Sequence, residues 1–338
     1  MNILTVNIGD FGVKFTIWRN FSKHKVTIRL EAQISDFAKT QALLKIKTYA
    51  NKVTITNQTL KFDPENAYCS ATKQLYHNEI FNQYNIDAVI IKIVDGFDEY
   101  KEITLLHANT LNNLHKFSKV APQHQAESLK IAEYFMRHYP KSKHYACFDT
   151  SFHKTIPLIN QVFAVPGQRE AVGARRHGMH GLAYQYISQR LKELEDKLAK
   201  KCVIIVCMDG DSSVCGIKRG KSFAASGGLG NIEKLLESKD EKAKFAMEYC
   251  ALQIAMEIAK IATLLGGMAG IVFSGKSAET NPKIRALIIG NLKWLGLALN
   301  KKSNNRNKFR IHKDGSLIKI MLIAANEELA MLNQFFSR

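Results

Sequence analysis

No apolar run in this chain of 338 residues is long enough to span a membrane, because charged or polar residues interrupt every one. The opening stretch MNILTVNIGD has neither a basic n-region nor a cleavage site, so it reads as a first strand and not as a secretion signal. The six cysteines, Cys69, Cys147, Cys202, Cys207, Cys215 and Cys250, form no CxxC pair and no zinc spacing. That excludes a zinc module. Their mostly apolar surroundings suit buried thiols in a reducing compartment, so the expected location is cytoplasmic and no membrane partner is expected. Acidic residues are the scarce charge, 30 against 48 Lys and Arg, for a formal net charge of +18. The bases are dispersed, and their densest run, NKKSNNRNKFR at residues 300–310, reads as a polar surface loop. Such a charge suits nucleic acid, an anionic surface or anionic metabolites. Without the fold or motif of a nucleic-acid reader, it does not make nucleic acid an expected partner.

What is present is a chain long enough for two domains. ILTVNI (3–8) and GVKFTIW (12–18) read as two strands joined by a tight turn at Gly9-Asp10. VIIVCM (203–208) and DGDSSVCGI (209–217) repeat the pattern, with Gly210-Asp211 aligning without gaps on Gly9-Asp10 and Val214 on Val13. Two halves that open alike argue for an internal duplication. Further strands are expected at 88–94 and 145–152 and in AGIVFSG and SLIKIMLIA. Helical periodicity marks AESLKIAEYFMRHY, GLAYQYISQRLKELEDKLAKK and a long Ala-rich segment that stops at Gly266-Gly267. Pro282 starts another helix, and Asn326 caps a terminal one. Strands and helices alternate, so the class is α/β, and two similar halves leave a cleft of the kind that binds ligands.

Five stretches then fall into one order. NIGDFGVKF resembles N-x-G-S-S-S-x-K-F, FDTSFHKTIP resembles F-D-T-A-F-H-x-T-M-P, and RRHGMHG resembles R-R-Y-G-F-H-G. FSGKSAETNPKIR stands where F-T-G-G-I-G-E-N-S-x-x-x-R is expected, and AANEELAML resembles P-T-N-E-E-L-x-I-A. On these motifs the chain is identified as a member of the acetate and propionate kinase family, within the superfamily of acetate and sugar kinases, heat-shock ATPases and actin. The resemblance implies two similar RNase H-like (actin-like ATPase) domains with an interdomain cleft. Residues 1–150 plus 325–338 would form the first, and 151–324 the second, which carries the nucleotide side and the dimer contact. It implies phosphoryl transfer from ATP to acetate or propionate, giving ADP and an acyl phosphate, with Mg²⁺, in a homodimer. By the same resemblance Lys92, His124, Asp149 and His180 are the catalytic candidates. Gly9, Lys14, Gly210, Asp211, Ser212, Gly275 and Lys276 are the nucleotide and phosphate candidates, and Asn7 and Glu327 would hold the metal. The chemistry needs in-line positioning and positive charge around the transferred group more than covalent help.

The chain also departs from the pattern. The family's V-G-H-R-V-V-H-G-G is VIIKIVDGF here, so Lys92 replaces an Arg and Asp95 a His. H-N-P becomes His124-Gln125-Ala126. H-L-G-N-G-A-S becomes MDGDSS, which puts the anion Asp211 near the expected phosphates. Lys276, Ser277 and Ala278 stand where the family has a Gly-rich adenosine turn. After SGGLGNIEKL the segment with a second catalytic Arg is missing. These losses predict weakened activity, and the alternative is a catalytically impaired homologue acting as a binding or regulatory module. GIVFSGKS (270–277) matches the Walker A spacing, but Ile271-Val272-Phe273 must itself be a strand, so it reads as a decoy. His153 and His177 read as structural, and Trp18 and Trp294 as packing residues.

Overall fold

The computed structural model describes residues 1–9, 12–22, 25–38, 40–49, 53–116, 118, 122–162, 175–230 and 241–338, the side chains of Ser22 and of residues 122–124 excepted. The chain divides into two compact units, one of Met1–Ser151 with Glu327–Arg338, the other of Phe152–Asn326.

In the first unit β1 (Asn2–Gly9), β2 (Gly12–Ser22), β3 (Lys25–Ala38), β4 (Gln41–Tyr49), β5 (Val53–Lys61), β6 (Ala88–Ile93), β7 (Thr104–Leu105) and β8 (Lys143–Phe148) form one sheet in the order β5-β4-β3-β2-β1-β6-β8-β7. β1, β6 and β8 run parallel, and every residue of β6 is buried. Covered on both faces, these strands read as continuous apolar runs and not as alternation. β4 instead alternates, with Ala42, Leu44 and Ile46 turned inward and their neighbours outward. Helices Ala67–Tyr76 and Pro122–His138 contribute Leu75, Leu129, Ile131 and Phe135 to the core, where Phe15 meets Phe81 and Phe135 edge-on at 6.3 Å each.

The second unit holds β9 (Cys202–Asp209), β10 (Asp211–Lys218), β11 (Lys221–Ala225), β12 (Gly270–Ser274) and β13 (Lys319–Leu322), ordered β11-β10-β9-β12-β13. β11, β10 and β9 are antiparallel, and β9, β12 and β13 are parallel. The same sequence of directions runs through β3-β2-β1-β6-β8, so the two sheets share one topology, as an internal duplication requires. The ungapped alignment of the hairpins does not persist as register. β1 and β2 close on Gly9 opposite Gly12, whereas β9 and β10 close on Asp209 opposite Asp211 around Gly210 alone, at φ 65°. The second turn is tighter because glycine can enter the left-handed region without cost.

Three local expectations change. The 145–152 strand ends at Phe148 and gives way to a 3₁₀ turn, Asp149–Thr155. The long helix after Gly181 breaks into Gly181–Leu194 and Asp196–Ala199, with Glu195 out of the helical region at φ −145°, ψ 58° and its carboxylate accepting from Arg310 Nε at 2.8 Å. The 300–310 loop contains a short helix, Lys301–Asn305, capped by Asn300 Oδ1 accepting from Ser303 N at 3.0 Å.

Candidate functional site

In the first unit the register of the opening hairpin sets Asn7 directly across from Lys14. The terminal helix Glu327–Ser337 begins with two acids, which its positive end favours. Its apolar stripe of Met331, Leu332 and Phe335 counts back to Glu328, which is 3% exposed. Glu328 Oε1 accepts from Asn7 Nδ2 at 3.1 Å, and its Oε2 lies 3.3 Å from Lys14 Nζ. Lys14 also lies 3.7 Å from Glu31, which accepts from the Tyr49 hydroxyl.

One strand further on, Lys92 is nearly buried. Its Nζ lies 2.7 Å from Glu327 Oε2 and 3.9 Å from Asp149 Oδ2. An ammonium so enclosed is held only by paired carboxylates, since an unpaired one would deprotonate or move to water. Asp149 reaches it because β8 pairs Cys147 with Lys92 and the chain then curls into its 3₁₀ turn. The neighbouring departures are structural. Asp95 Oδ1 accepts from Phe97 N at 2.7 Å and from Thr150 Oγ1 at 3.0 Å. Gln125 clamps the Asp95 backbone through two 3.0 Å bonds, accepting from its N–H and donating to its carbonyl. The His124 side chain, Asp10 and the segment beyond Asn231 that carries the expected deletion lie outside the described residues.

In the second unit His180 adopts φ 55° immediately before helix Gly181–Leu194. Its Nδ1 is 2.7 Å from Ser213 Oγ, which is also 2.6 Å from the Tyr184 hydroxyl. The turn that presents it is backed by His153, 2% exposed, whose Nε2 meets Met179 O at 3.0 Å and whose Nδ1 meets Ser222 Oγ at 2.9 Å. A methyl group on Gly178, at φ 83°, would stand 2.4 Å from the His153 ring, so the close approach requires glycine. His153 is thus structural, as expected. Bonding at Nδ1 leaves Nε2 as the ring nitrogen of His180 turned away from Ser213.

Around the second hairpin, a methyl group on Gly228 would stand 1.9 Å from Asp211 Oδ2, so the Asp211 carboxylate lies against the Gly228 backbone. Ser212 is buried, its N–H donating to Gly230 O at 3.1 Å and its carbonyl accepting from Leu229 N at 2.8 Å. Gly275, at φ 86°, presses on the end of β9: a methyl there would lie 2.6 Å from Met208 C. Its N–H donates to Glu279 Oε1 at 2.9 Å, and the exposed Lys276 opens helix Lys276–Thr280. Gly270–Ser274 is strand β12, so the Walker A spacing has no phosphate loop behind it. Trp18 is packed, donating to Thr5 Oγ1 at 2.9 Å, but Trp294 is 73% exposed and not a packing residue, because its 3₁₀ turn Lys293–Leu295 turns it outward.

The structure therefore brings Asn7, Lys14, Lys92, Asp149 and Glu327 into one polar group of the first unit, and sets His180, Gly210, Asp211, Ser212, Gly275 and Lys276 in the second. Sequence reasoning missed Glu328, Gln125, Ser213 and Tyr184. Only Glu328 carried a signal, the stripe that runs back to it.

Two sheets of one shared topology define an α/β protein of actin-like ATPase architecture. The Acetokinase family profile matches residues 2–237 and 229–333. The chain belongs to that family. The acetate kinase of Rickettsia prowazekii (strain Madrid E) is 26% identical over 98% of each chain, and that of Borrelia turicatae (strain 91E135) is 28% identical over 100% of this chain and 98% of its own. Among solved structures, a propionate kinase from Francisella tularensis subsp. tularensis SCHU S4 superposes with a TM-score of 0.82 at 21% identity over 98% of each chain. The acetate kinase from Entamoeba histolytica gives 0.81 at 19% identity over 100% of this chain and 99% of its own. The alignment with the Rickettsia enzyme runs over 383 positions against 338 residues here, so that relative carries segments this chain lacks. The profile matches in two segments that overlap at residues 229–237, where the sequence reading puts the missing segment. No helix among the described residues is long and apolar enough to cross a membrane.

Proposed function

We propose that the chain transfers a phosphoryl group between ATP and a short-chain carboxylate such as acetate or propionate, forming ADP and an acyl phosphate, at a rate well below that of an enzyme with the full set of cationic groups. The observation that carries this reading is the buried Lys92 ammonium held between Asp149 and Glu327. It keeps one cation at the position of the family's Arg, but as a point charge that cannot bind two oxygens in a fork. Losing one transition-state donor lowers rates by about 10²–10³. In this reading Lys92 draws the substrate carboxylate and Asp149 fixes the Lys92 ammonium.

The expected metal pair does not fit Mg²⁺ as it stands. Asn7 bonds Glu328, and Glu327 already holds the Lys92 ammonium at 2.7 Å. Among the described residues no group of three or more His, Cys, Asp and Glu is arranged to hold a metal ion. No step is therefore routed through one.

The test is a hydroxamate assay with ATP and acetate, propionate and butyrate. Acyl phosphate above the protein-free blank is expected, and its absence with all three overturns the reading. The same 2.7 Å pairing of Lys92 favours a second reading, a kinase-derived binding module, since Glu327 neutralises the cation at the position of the family's Arg. Calorimetry with ATP and ADP distinguishes it: binding without turnover is its signature. We place the protein in the cytoplasm, which its six free cysteines support. We also propose a homodimer. Helix Glu241–Leu265 exposes Phe245, Tyr249, Leu252 and Met256 at spacings of one coiled-coil seam. A light-scattering mass of one chain would count against it.

A further inference from the structure

The basic residues singled out in the sequence have no part in that reaction. Residues 283–319 hold nine exposed lysines and arginines and one acid, Asp314. Among these nine only Arg310 is in an ion pair, with Glu195. The fold brings two stretches of this segment together. Asn300 N donates to Ile311 O at 2.8 Å, and Lys313 N donates to Ala298 O at 2.9 Å, which folds the segment back on itself beside β13. The loops leaving the Ala298–Lys313 bond each carry a large apolar side chain into solvent: Trp294, 73% exposed, and Leu317, 93% exposed. Lys293 precedes the Trp, and Lys313 and Lys319 bracket the Leu. A charged face alone is an ordinary solvated surface. A tryptophan and a leucine held in water, each close in sequence to exposed lysines outside any ion pair, are not.

We propose that this face of the second unit is a peripheral docking surface for an anionic lipid bilayer, with Trp294 and Leu317 entering the headgroup region and the lysines facing acidic headgroups. Tryptophan prefers the membrane–water interface, and lysines beside it are drawn to the negative surface potential. Leu317 decides against nucleic acid, because an aliphatic side chain has no ring on which a base can stack, whereas a bilayer receives both residues. A surface contact needs no spanning helix, and it is independent of phosphoryl transfer.

The protein itself reports the contact. It has two tryptophans, and Trp18 is 4% exposed, so any change in indole environment on binding belongs to Trp294. The full chain is mixed with vesicles of phosphatidylglycerol and phosphatidylcholine in equal parts, or of phosphatidylcholine alone, and followed by sedimentation and tryptophan emission. Sedimentation with the anionic vesicles only, a blue shift of the emission, and release in about 1 M salt, where the screening length is about 3 Å, are expected. The triple variant Lys301→Gln, Lys302→Gln, Lys308→Gln should bind about 10²-fold more weakly, at about fivefold per lysine. All three side chains are exposed, so its melting temperature should match the wild type. Where that variant fails to fold, the emission of the wild type alone decides. No sedimentation, equal binding to neutral vesicles, sedimentation without a blue shift, or a folded triple variant within twofold of wild type overturns the proposal. Tighter binding to an oligonucleotide than to the anionic vesicles overturns it in favour of nucleic acid.

Discussion

Arg285→Met should unfold the second unit about 6–20 °C earlier. Arg285 is fully buried, and its guanidinium serves five acceptors. Nε donates to Asn304 Oδ1 at 2.8 Å. Nη2 donates to Asn304 O and Asn307 Oδ1, each at 2.7 Å, and Nη1 donates to Ala278 O and to Glu279 O, the latter at 3.2 Å. The two carbonyls close helix Lys276–Thr280 and have no helical donor ahead of them. Four residues after Ala278 comes Pro282, which lacks an N–H, and the N–H of Lys283 is given to Asn281 Oδ1. Burial pushes the guanidinium down to about 10, so it stays charged at neutral pH. Methionine fills much of the space but offers no donor. Each buried carbonyl left without one costs about 1–3 kcal/mol, and the exposed Asn307 can turn to water, so the total is about 3–5 kcal/mol. For a unit of this size 1 kcal/mol lowers the midpoint by about 2–4 °C. Arg285→Lys should fall between, since an ammonium cannot reproduce the fork. The measurement is a calorimetric or circular-dichroism melt. A Met variant within about 2 °C of wild type would refute the reasoning, because the carbonyls would then have found other partners.

Lys92→Met should cost about 3–5 kcal/mol by leaving Asp149 and Glu327 without their shared cation, while Lys92→Arg keeps the pairing and raises hydroxamate formation about tenfold or more. Urea midpoints and the hydroxamate assay check the pair, and a Met variant as stable as wild type sinks the argument. His144 is buried with Nε2 against Tyr139 O at 2.9 Å, and desolvation holds its pKa below the ordinary value near 6.5. The unfolded chain therefore binds the proton first, so stability is lost as pH falls below about 6.5 and the loss ends at the lower folded value. His144→Phe should flatten urea midpoints measured between about pH 7.5 and 5.5, and an unchanged slope would assign the acid sensitivity elsewhere. Gly228→Ala should destabilise by about 1–3 kcal/mol because its methyl meets Asp211 Oδ2, and Asp211→Ser in the same chain should recover most of the loss. No recovery in the double variant would mean that the backbone, not the carboxylate, sets the cost.

Much of the architecture is determined by the sequence alone, because it depends on neighbours within a few residues. Runs such as AVIIKI become strands through branched apolar side chains, and Asn281-Pro282 starts a helix through a cap and a fixed φ. The five motifs, collinear with the family, likewise need no coordinates. Tertiary structure alone decided which of two adjacent acids does what. Successive residues on a helix point about 100° apart, so the packing of Met331, Leu332 and Phe335 turns Glu328 to Asn7 and leaves Glu327 to Lys92. It decided that Asp211, read from sequence as a charge beside a phosphate, lies against Gly228, and that a helix breaks at Glu195 where Arg310 takes the carboxylate. It also turned Trp294 out into water. In each case the deciding contact joins residues far apart in the chain, or depends on the rotation of a whole element, and propensity and spacing carry no information about either.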